Sequence, residues 1–140
     1  MVDFQCKPHY SYEDFLEVMR LLRTPGGCPW DREQTHGSIR RNFLEETYEV
    51  LDALDRDDPR DMCEELGDVM MQVAFHAQIE AERGNFTMDD VVDGVTKKLV
   101  YRHPHVFGDV KADTAGQVSE NWEQLKLREK GGNKSVLSGV

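Results

Sequence analysis

Residues 64–75 read EELGDVMMQVAF, and this stretch decides the fold. The run from Leu66 to Phe75 is apolar nearly all the way round a helix, a pattern typical of a helix buried at the centre of a domain. Asp68 stands inside this run, and an uncompensated charge in apolar surroundings is strongly unfavourable. The stretch therefore predicts a buried helix whose acidic residues have a specific partner.

Start and stop signals divide the rest of the chain into further helices and short connections. Ser11 caps a first helix, with Asp14 three residues later completing a capping box. The Pro/Gly-rich segment 24–29 ends this helix, and 30–37 and 103–108 read as loops. The remaining helices are predicted at 38–57, 59–83, 87–101 and 114–130. Without repeats or strand alternation, the sequence predicts an all-α bundle of four or five helices.

Two pairs of acidic residues occupy consecutive predicted helices. Glu46 and Glu49 are three apart on one helix, and Glu65 and Asp68 are three apart on the next. Residues at this spacing share a helical face, so antiparallel helices would bring the pairs together. Because so much like charge needs a cation to share the space, we predict a divalent-metal site with hard oxygen ligands for Mg²⁺, Mn²⁺ or Ca²⁺. The alternative is an ordinary solvated acidic face.

Composition narrows the classes of protein to which the chain can belong. It has 140 residues, a formal net charge of −10 and a pI of about 4.9, which argues against nucleic acid or an anionic membrane as the main partner. Its three cysteines are widely spaced, as in reduced cytosolic proteins rather than disulfide frameworks. Since neither a signal peptide nor a membrane span is recognisable, we expect a cytoplasmic protein.

Basic and aromatic residues near the C-terminus could bind phosphate. Lys98 and Arg102 are four apart, as are Trp122 and Lys126, so each pair shares a helical face. A phosphate clamp is one interpretation. Ordinary surface charge for the basic residues, and core packing for Trp122, are the alternatives.

Five ordered motifs together resemble one family. They are GCPWDxxQTH at 27–36, EExxE at 45–49, ELGD at 65–68, RHPHVFG at 102–108 and NWE at 121–123. In this set the chain resembles the MazG family of nucleoside triphosphate pyrophosphohydrolases over about residues 11–130. The resemblance implies the all-α NTP pyrophosphatase fold, at least a dimer, and Mg²⁺-dependent hydrolysis of a nucleoside triphosphate to monophosphate and pyrophosphate, with Mn²⁺ as a substitute ion.

The same resemblance assigns roles to individual residues. The metal ligands map onto Glu46, Glu49, Glu65 and Asp68. Glu45, in the same motif as Glu46, is assigned to orient or deprotonate the attacking water. The substrate contacts map onto Lys98, Arg102, Trp122 and Lys126. Trp30 either walls the base pocket or packs in the core.

Several alternatives stay open at this point. A narrower activity, of the dUTP/dCTP or phosphoribosyl-ATP pyrophosphohydrolase type, is disfavoured by the full-length motif pattern. A non-catalytic helical interaction module would keep the fold and lose the activity. We expect one domain at 1–130, followed at 131–140 by a flexible tail or the start of an interdomain linker, because related proteins often carry two such domains.

Overall fold

The structure, a computed structural model, describes residues 1–109, 111 and 113–132. These residues form seven α-helices and no strand, which confirms the all-α prediction. The helices are α1 Tyr12–Leu22, α2 Pro29–Glu33, α3 His36–Asp55, α4 Pro59–Glu82, α5 Met88–Tyr101, α6 Pro104–Phe107 and α7 Ala115–Gly132. Residues 133–140 of the predicted tail lie outside the described residues.

Two of the seven helices, α2 and α6, form where loops were predicted, and the other five match the predicted helices. The two additional helices have only five and four residues. Each has a proline at its start, Pro29 in α2 and Pro104 in α6. Proline suits the first helical turn because its fixed φ is already helical and its missing N–H has no partner there.

Side-chain caps set the ends of the two long helices. Thr35 and Ser38 form a reciprocal capping box, which starts α3 two residues earlier than predicted. The helix also ends two residues early, because Asp57 turns the backbone left-handed at φ +52°. Asp58 then accepts two backbone N–H bonds at the start of α4, and Pro59 takes the first helical position. The short connection orients α3 and α4 antiparallel.

The chain divides into two compact units, Met1–Asp89 and Asp90–Val140. In the first unit α4 packs against α3 and α1. Its core is formed by Met19, Ile39, Ala74, Phe75 and Ile79, with Phe15 and Leu16 packed against it.

The first half of α4 is more exposed than the sequence predicted. Leu66, Met70 and Met71 are 54%, 37% and 39% exposed, and the fully buried positions begin at Gln72. The prediction of a helix buried all round is therefore wrong for this half. α3 and α1 cover only part of its circumference, and an apolar face stays open to solvent.

Arg23 joins the connection after α1 to the end of α4. Its guanidinium donates to the carbonyl oxygens of Asp31 and Gln34 at 2.6 and 3.0 Å, and it pairs with Glu82 at 2.7 Å. It also lies over the ring of Phe75, 5.3 Å from the centroid. With only 8% of its side chain exposed, Arg23 fixes the loop that leads into α3.

The second unit contains α6, α7 and most of α5. Leu125 and Glu129 of α7 are buried. Val95 and Leu99 of α5 are each 52% exposed. Within the part of the chain that the structure describes, no helix is both long and apolar enough to cross a membrane.

Candidate active site

The antiparallel packing of α3 and α4 brings acidic residues of both helices together. At one end of the pair, His36 Nε2 of α3 lies 2.8 Å from Glu80 Oε2 of α4. Nearer the other end, Glu46 of α3 meets Glu65 and Asp68 of α4. One carboxylate oxygen from each of these three residues lies within 4.8 Å of the other two. We call Glu46, Glu65 and Asp68 the acid cluster.

The acid cluster is partly buried and carries unrelieved like charge. Burial raises the pKa of Glu46, and the charges of Asp68, Glu49 and Glu45 raise it further. The pKa of Glu65 is raised in the same way, first by burial and then by the surrounding carboxylates. Among the described residues, no lysine, arginine or histidine forms an ion pair with any of the three.

The donor set fits a hard divalent cation. Three carboxylates on two facing helices offer the oxygen ligands that Mg²⁺ and Mn²⁺ prefer. Glu49, the fourth predicted ligand, is exposed. Its charge nevertheless acts on both Glu46 and Glu65, so it lies at the edge of the cluster.

Glu45 points to solvent rather than into the cluster. Its Oε1 accepts a hydrogen bond from Arg41 Nε at 3.1 Å, and the two side chains are 59% and 85% exposed. Its charge still contributes to the raised pKa of Glu46. Trp30, on α2, is 56% exposed, so core packing does not account for this ring.

In the second unit three of the four predicted substrate contacts lie together. The Trp122 ring has Lys126 Nζ at 4.8 Å and the Arg102 guanidinium at 5.8 Å from its centroid. Arg102 also donates to buried Glu129 at 2.7 Å. Lys98 is exposed and reaches Arg102 only through the backbone bond from Arg102 N to its carbonyl oxygen, at 2.9 Å.

The structure also brings two histidines together nearer the opposite end of the α3–α4 pair, a contact that no motif in the sequence predicted. The Nδ1 atoms of His36 and His76 lie 2.7 Å apart, and the rings stack. Burial and the neighbouring His36 lower the pKa of His76. Glu80 accepts hydrogen bonds from His36 and Asn85. These bonds, together with the nearby charge of Arg83, lower the pKa of Glu80 to about 2.

One signal in the sequence could have revealed this network. His76 and Glu80 are four residues apart on α4, so they share a helical face.

Comparison with known proteins gives a consistent result. The family model of the MazG nucleotide pyrophosphohydrolase domain matches residues 34–107, slightly more than half of the chain. A Thermotoga maritima protein named nucleoside triphosphate pyrophosphohydrolase/pyrophosphatase MazG is 48% identical over 128 residues, covering 91% of this chain and 49% of that protein. The Escherichia coli K12 nucleoside triphosphate pyrophosphohydrolase is 48% identical over 116 residues, covering 82% and 44%.

Two further proteins extend the comparison. Bacillus subtilis YabN, an uncharacterized protein, is 48% identical over 129 residues, which is 92% of this chain and 26% of that protein. Across these relatives the chain spans about half of their length or less. The crystal structure of a mazG-related protein from Thermotoga maritima superimposes with a TM-score of 0.67 at 24% identity, covering 81% of this chain and 97% of that one. That structure shares the all-helical fold.

The match to the family model includes both acidic motifs of α3 and α4, where the acid cluster lies. On this match, and on near one-half identity to relatives across most of its length, the chain belongs to the MazG nucleotide pyrophosphohydrolase family.

Proposed function

We propose that this chain hydrolyses nucleoside triphosphates to nucleoside monophosphate and pyrophosphate in a Mg²⁺-dependent reaction. The acid cluster carries the proposal: three partly buried carboxylates lie within 4.8 Å of one another with no cationic side chain of the described residues among them. Relatives at 48% identity are named nucleoside triphosphate pyrophosphohydrolases. Those proteins are roughly twice as long, so the activity is proposed for this chain from its own site.

We assign Glu46, Glu49, Glu65 and Asp68 as the metal ligands, for Mg²⁺ or for Mn²⁺ in its place. When bound, such an ion would neutralise the carboxylates, bind phosphate oxygens and lower the pKa of a bound water. The raised pKa values of Glu46 and Glu65 support the assignment. A positive charge between these carboxylates would relieve their repulsion and stabilise their ionised form. Glu49 forms no ion pair with a described residue, so its carboxylate can turn toward the cluster.

We assign Glu45 to orient or deprotonate the water that attacks the triphosphate between its α and β phosphorus atoms. Glu45 adjoins Glu46 in sequence and forms an exposed ion pair with Arg41. Exposed pairs of this kind contribute at most about 1 kcal/mol. Glu45 can therefore leave Arg41 at small cost when substrate binds.

Lys98, Arg102 and Lys126 are assigned to hold the phosphates, and Trp122 and Trp30 to contact the nucleotide. The ion pair with buried Glu129 supports the role of Arg102, since it holds the guanidinium in one orientation. Lys126 keeps its ammonium group over the Trp122 ring, where a planar base could replace it.

We further propose that the chain works as a homodimer or a dimer of dimers, paired through the open faces of α3 and α4. On α3, Leu44, Tyr48 and Leu51 are 56%, 63% and 48% exposed at helical spacings of four and three. On α4, Leu66 and Met70 are exposed as well. Apolar stripes of this kind are usually covered by another protein surface. Leu51→Glu should convert the assembly to monomers in light scattering, whereas an unchanged mass would contradict this interface.

The experiment that tests the activity is a panel of ribo- and deoxynucleoside triphosphates with Mg²⁺, read by released pyrophosphate and monophosphate. We expect equal amounts of the two products, and none after EDTA treatment. Glu49→Gln should abolish release, while Glu33→Gln, an exposed acid on α2, should retain it. Cleavage confined to dUTP and dCTP would select the narrower activity. Release of inorganic phosphate would contradict attack between the α and β atoms, and no release with any nucleotide would favour a non-catalytic module.

A further inference from the structure

Gln72 is a buried polar side chain of α4 with an unsatisfied atom. The residue is 6% exposed, and its Oε1 is shielded from solvent without a hydrogen-bond partner among the described residues. A buried carbonyl-type oxygen without a donor destabilises the fold, so an amide at this position calls for a missing partner. A methionine would fill similar space at no such cost.

The position of Gln72 on its helix shows where that partner would lie. Gln72 follows Asp68 by one turn and precedes His76 by one turn, so the three share a face. Asp68 meets Glu46 of α3 in the acid cluster, and the His76 ring contacts Phe43 of α3 with centroids 5.7 Å apart. Gln72 is thus enclosed between α3 and α4, directly beside the acid cluster.

The chemistry of the surroundings identifies the kind of donor that is missing. The neighbouring Asp68 and Glu46 are acceptors only when ionised, so they offer nothing to Oε1. His76 directs its Nδ1 to His36 instead. A hard divalent cation held by carboxylates keeps several waters, and such waters are strong hydrogen-bond donors.

We infer that Gln72 is a positioning residue for the divalent ion of the acid cluster, with Oε1 accepting a hydrogen bond from a water of the ion's hydration shell. The inference rests on the proposed function, because it needs the metal site. It adds a fifth side chain beyond the four proposed ligands, and the role of that side chain is to orient the hydration shell. Partners of this kind typically change metal affinity or activity by about 10- to 100-fold.

A structural pairing is the competing account. Asn42 precedes Glu46 by one turn, and Gln72 follows Asp68 by one turn. In an antiparallel helix pair these two amides lie at the same level. If Asn42 were the true partner of Gln72, both residues would act on the stability of the metal-free protein and neither on metal binding.

The test measures Mg²⁺ binding to the full chain without nucleotide by isothermal titration calorimetry, together with the melting temperature in EDTA. Gln72→Met should melt no lower than the wild type in EDTA, and should bind Mg²⁺ with a midpoint about 10-fold higher. Gln72→Glu, which keeps an acceptor oxygen and adds a negative charge beside the acid cluster, should restore a midpoint no higher than the wild-type value. Gln78→Met is the matched control, because Gln78 lies elsewhere on α4 and contacts Glu82; its midpoint should not change.

Each outcome separates this inference from the proposed function. A wild-type chain that does not respond to Mg²⁺ would eliminate the metal site and, with it, the role of Gln72. A responsive wild type with a Gln72→Met midpoint within twofold would eliminate the inference alone. It would likewise fail if Gln72→Met and Asn42→Ala both lowered the melting temperature in EDTA and left the midpoint unchanged.

Discussion

Replacing Asp68 by asparagine should separate two effects of the acid cluster. One is the charge repulsion that destabilises the metal-free protein, and the other is the stabilisation gained when Mg²⁺ binds. Asp68 and Glu46 lie within 4.8 Å, where two unit charges repel by about 1 kcal/mol even in bulk water. Without divalent cations we therefore expect the variant to be at least as stable as the wild type. At Mg²⁺ concentrations near 100 times Kd, the wild type should gain about 2.7 kcal/mol, or roughly 10 °C in Tm for a domain of this size. The variant should gain little of this.

The assay is thermal unfolding at neutral pH, first in EDTA and then in a Mg²⁺ series. Asp55→Asn is the matched control, because Asp55 is the exposed last residue of α3 and should leave the Mg²⁺ response intact. The reasoning would be refuted if Asp68→Asn melted well below the wild type in EDTA and still showed the full Mg²⁺ response. In that case Asp68 would stabilise the fold directly.

Three further predictions concern the framework of the site. Arg23→Met should lower the free energy of unfolding in urea by about 2–4 kcal/mol, because two carbonyls and a carboxylate lose their hydrogen-bond donor. Arg20→Met is the control, since the ion pair of Arg20 is exposed, and a similar loss in that variant would contradict the prediction. Because the pKa of Glu80 is lowered to about 2 from 4.5, its contribution is complete above about pH 4.5 and is lost as the pH falls toward 2. Glu80→Gln should therefore flatten the acid side of the stability curve, and parallel curves would exclude the effect. Ile39→Ala should cost about 2–5 kcal/mol in thermal unfolding, and a loss below about 1 kcal/mol would show that the core is not centred there.

The long helices could be predicted because their signals are local. A capping box at Ser11, a proline after Asp58 and a glycine at 84 each mark a helix end through contacts within a few residues. The exposure of Leu66 and Met70 could not be predicted in this way. An apolar residue reads as buried whether its partner is another helix of the same chain or another protein surface, and the sequence does not distinguish the two.

The acid pairs could be predicted because spacing on one helix determines a shared face. What spacing leaves open is which member of a pair turns inward: Glu46 joins the acid cluster, whereas Glu49 stays exposed at its edge. The contact of His36 with His76 depends on the relative shift of two helices, which no local pattern specifies. Gln72 went unnoticed for a different reason, since a single amide within an apolar run carries no motif.

The antiparallel pairing of α3 and α4 relates further polar residues to the acid cluster. Asn42 lies four residues before Glu46 on α3, and Gln72 lies four residues after Asp68 on α4. In an antiparallel pair these positions are expected at matching levels, as are Glu49, three residues after Glu46, and Glu65, three residues before Asp68. Such matching levels stack polar layers along one helix–helix contact, where apolar layers would be expected to stabilise the pair more. The apolar core residues Ile39, Phe75 and Ile79 lie farther along the same helices, toward His36 and Glu80. The metal-free pair is therefore weakest at the acid cluster, which is where binding of a cation would stabilise it most.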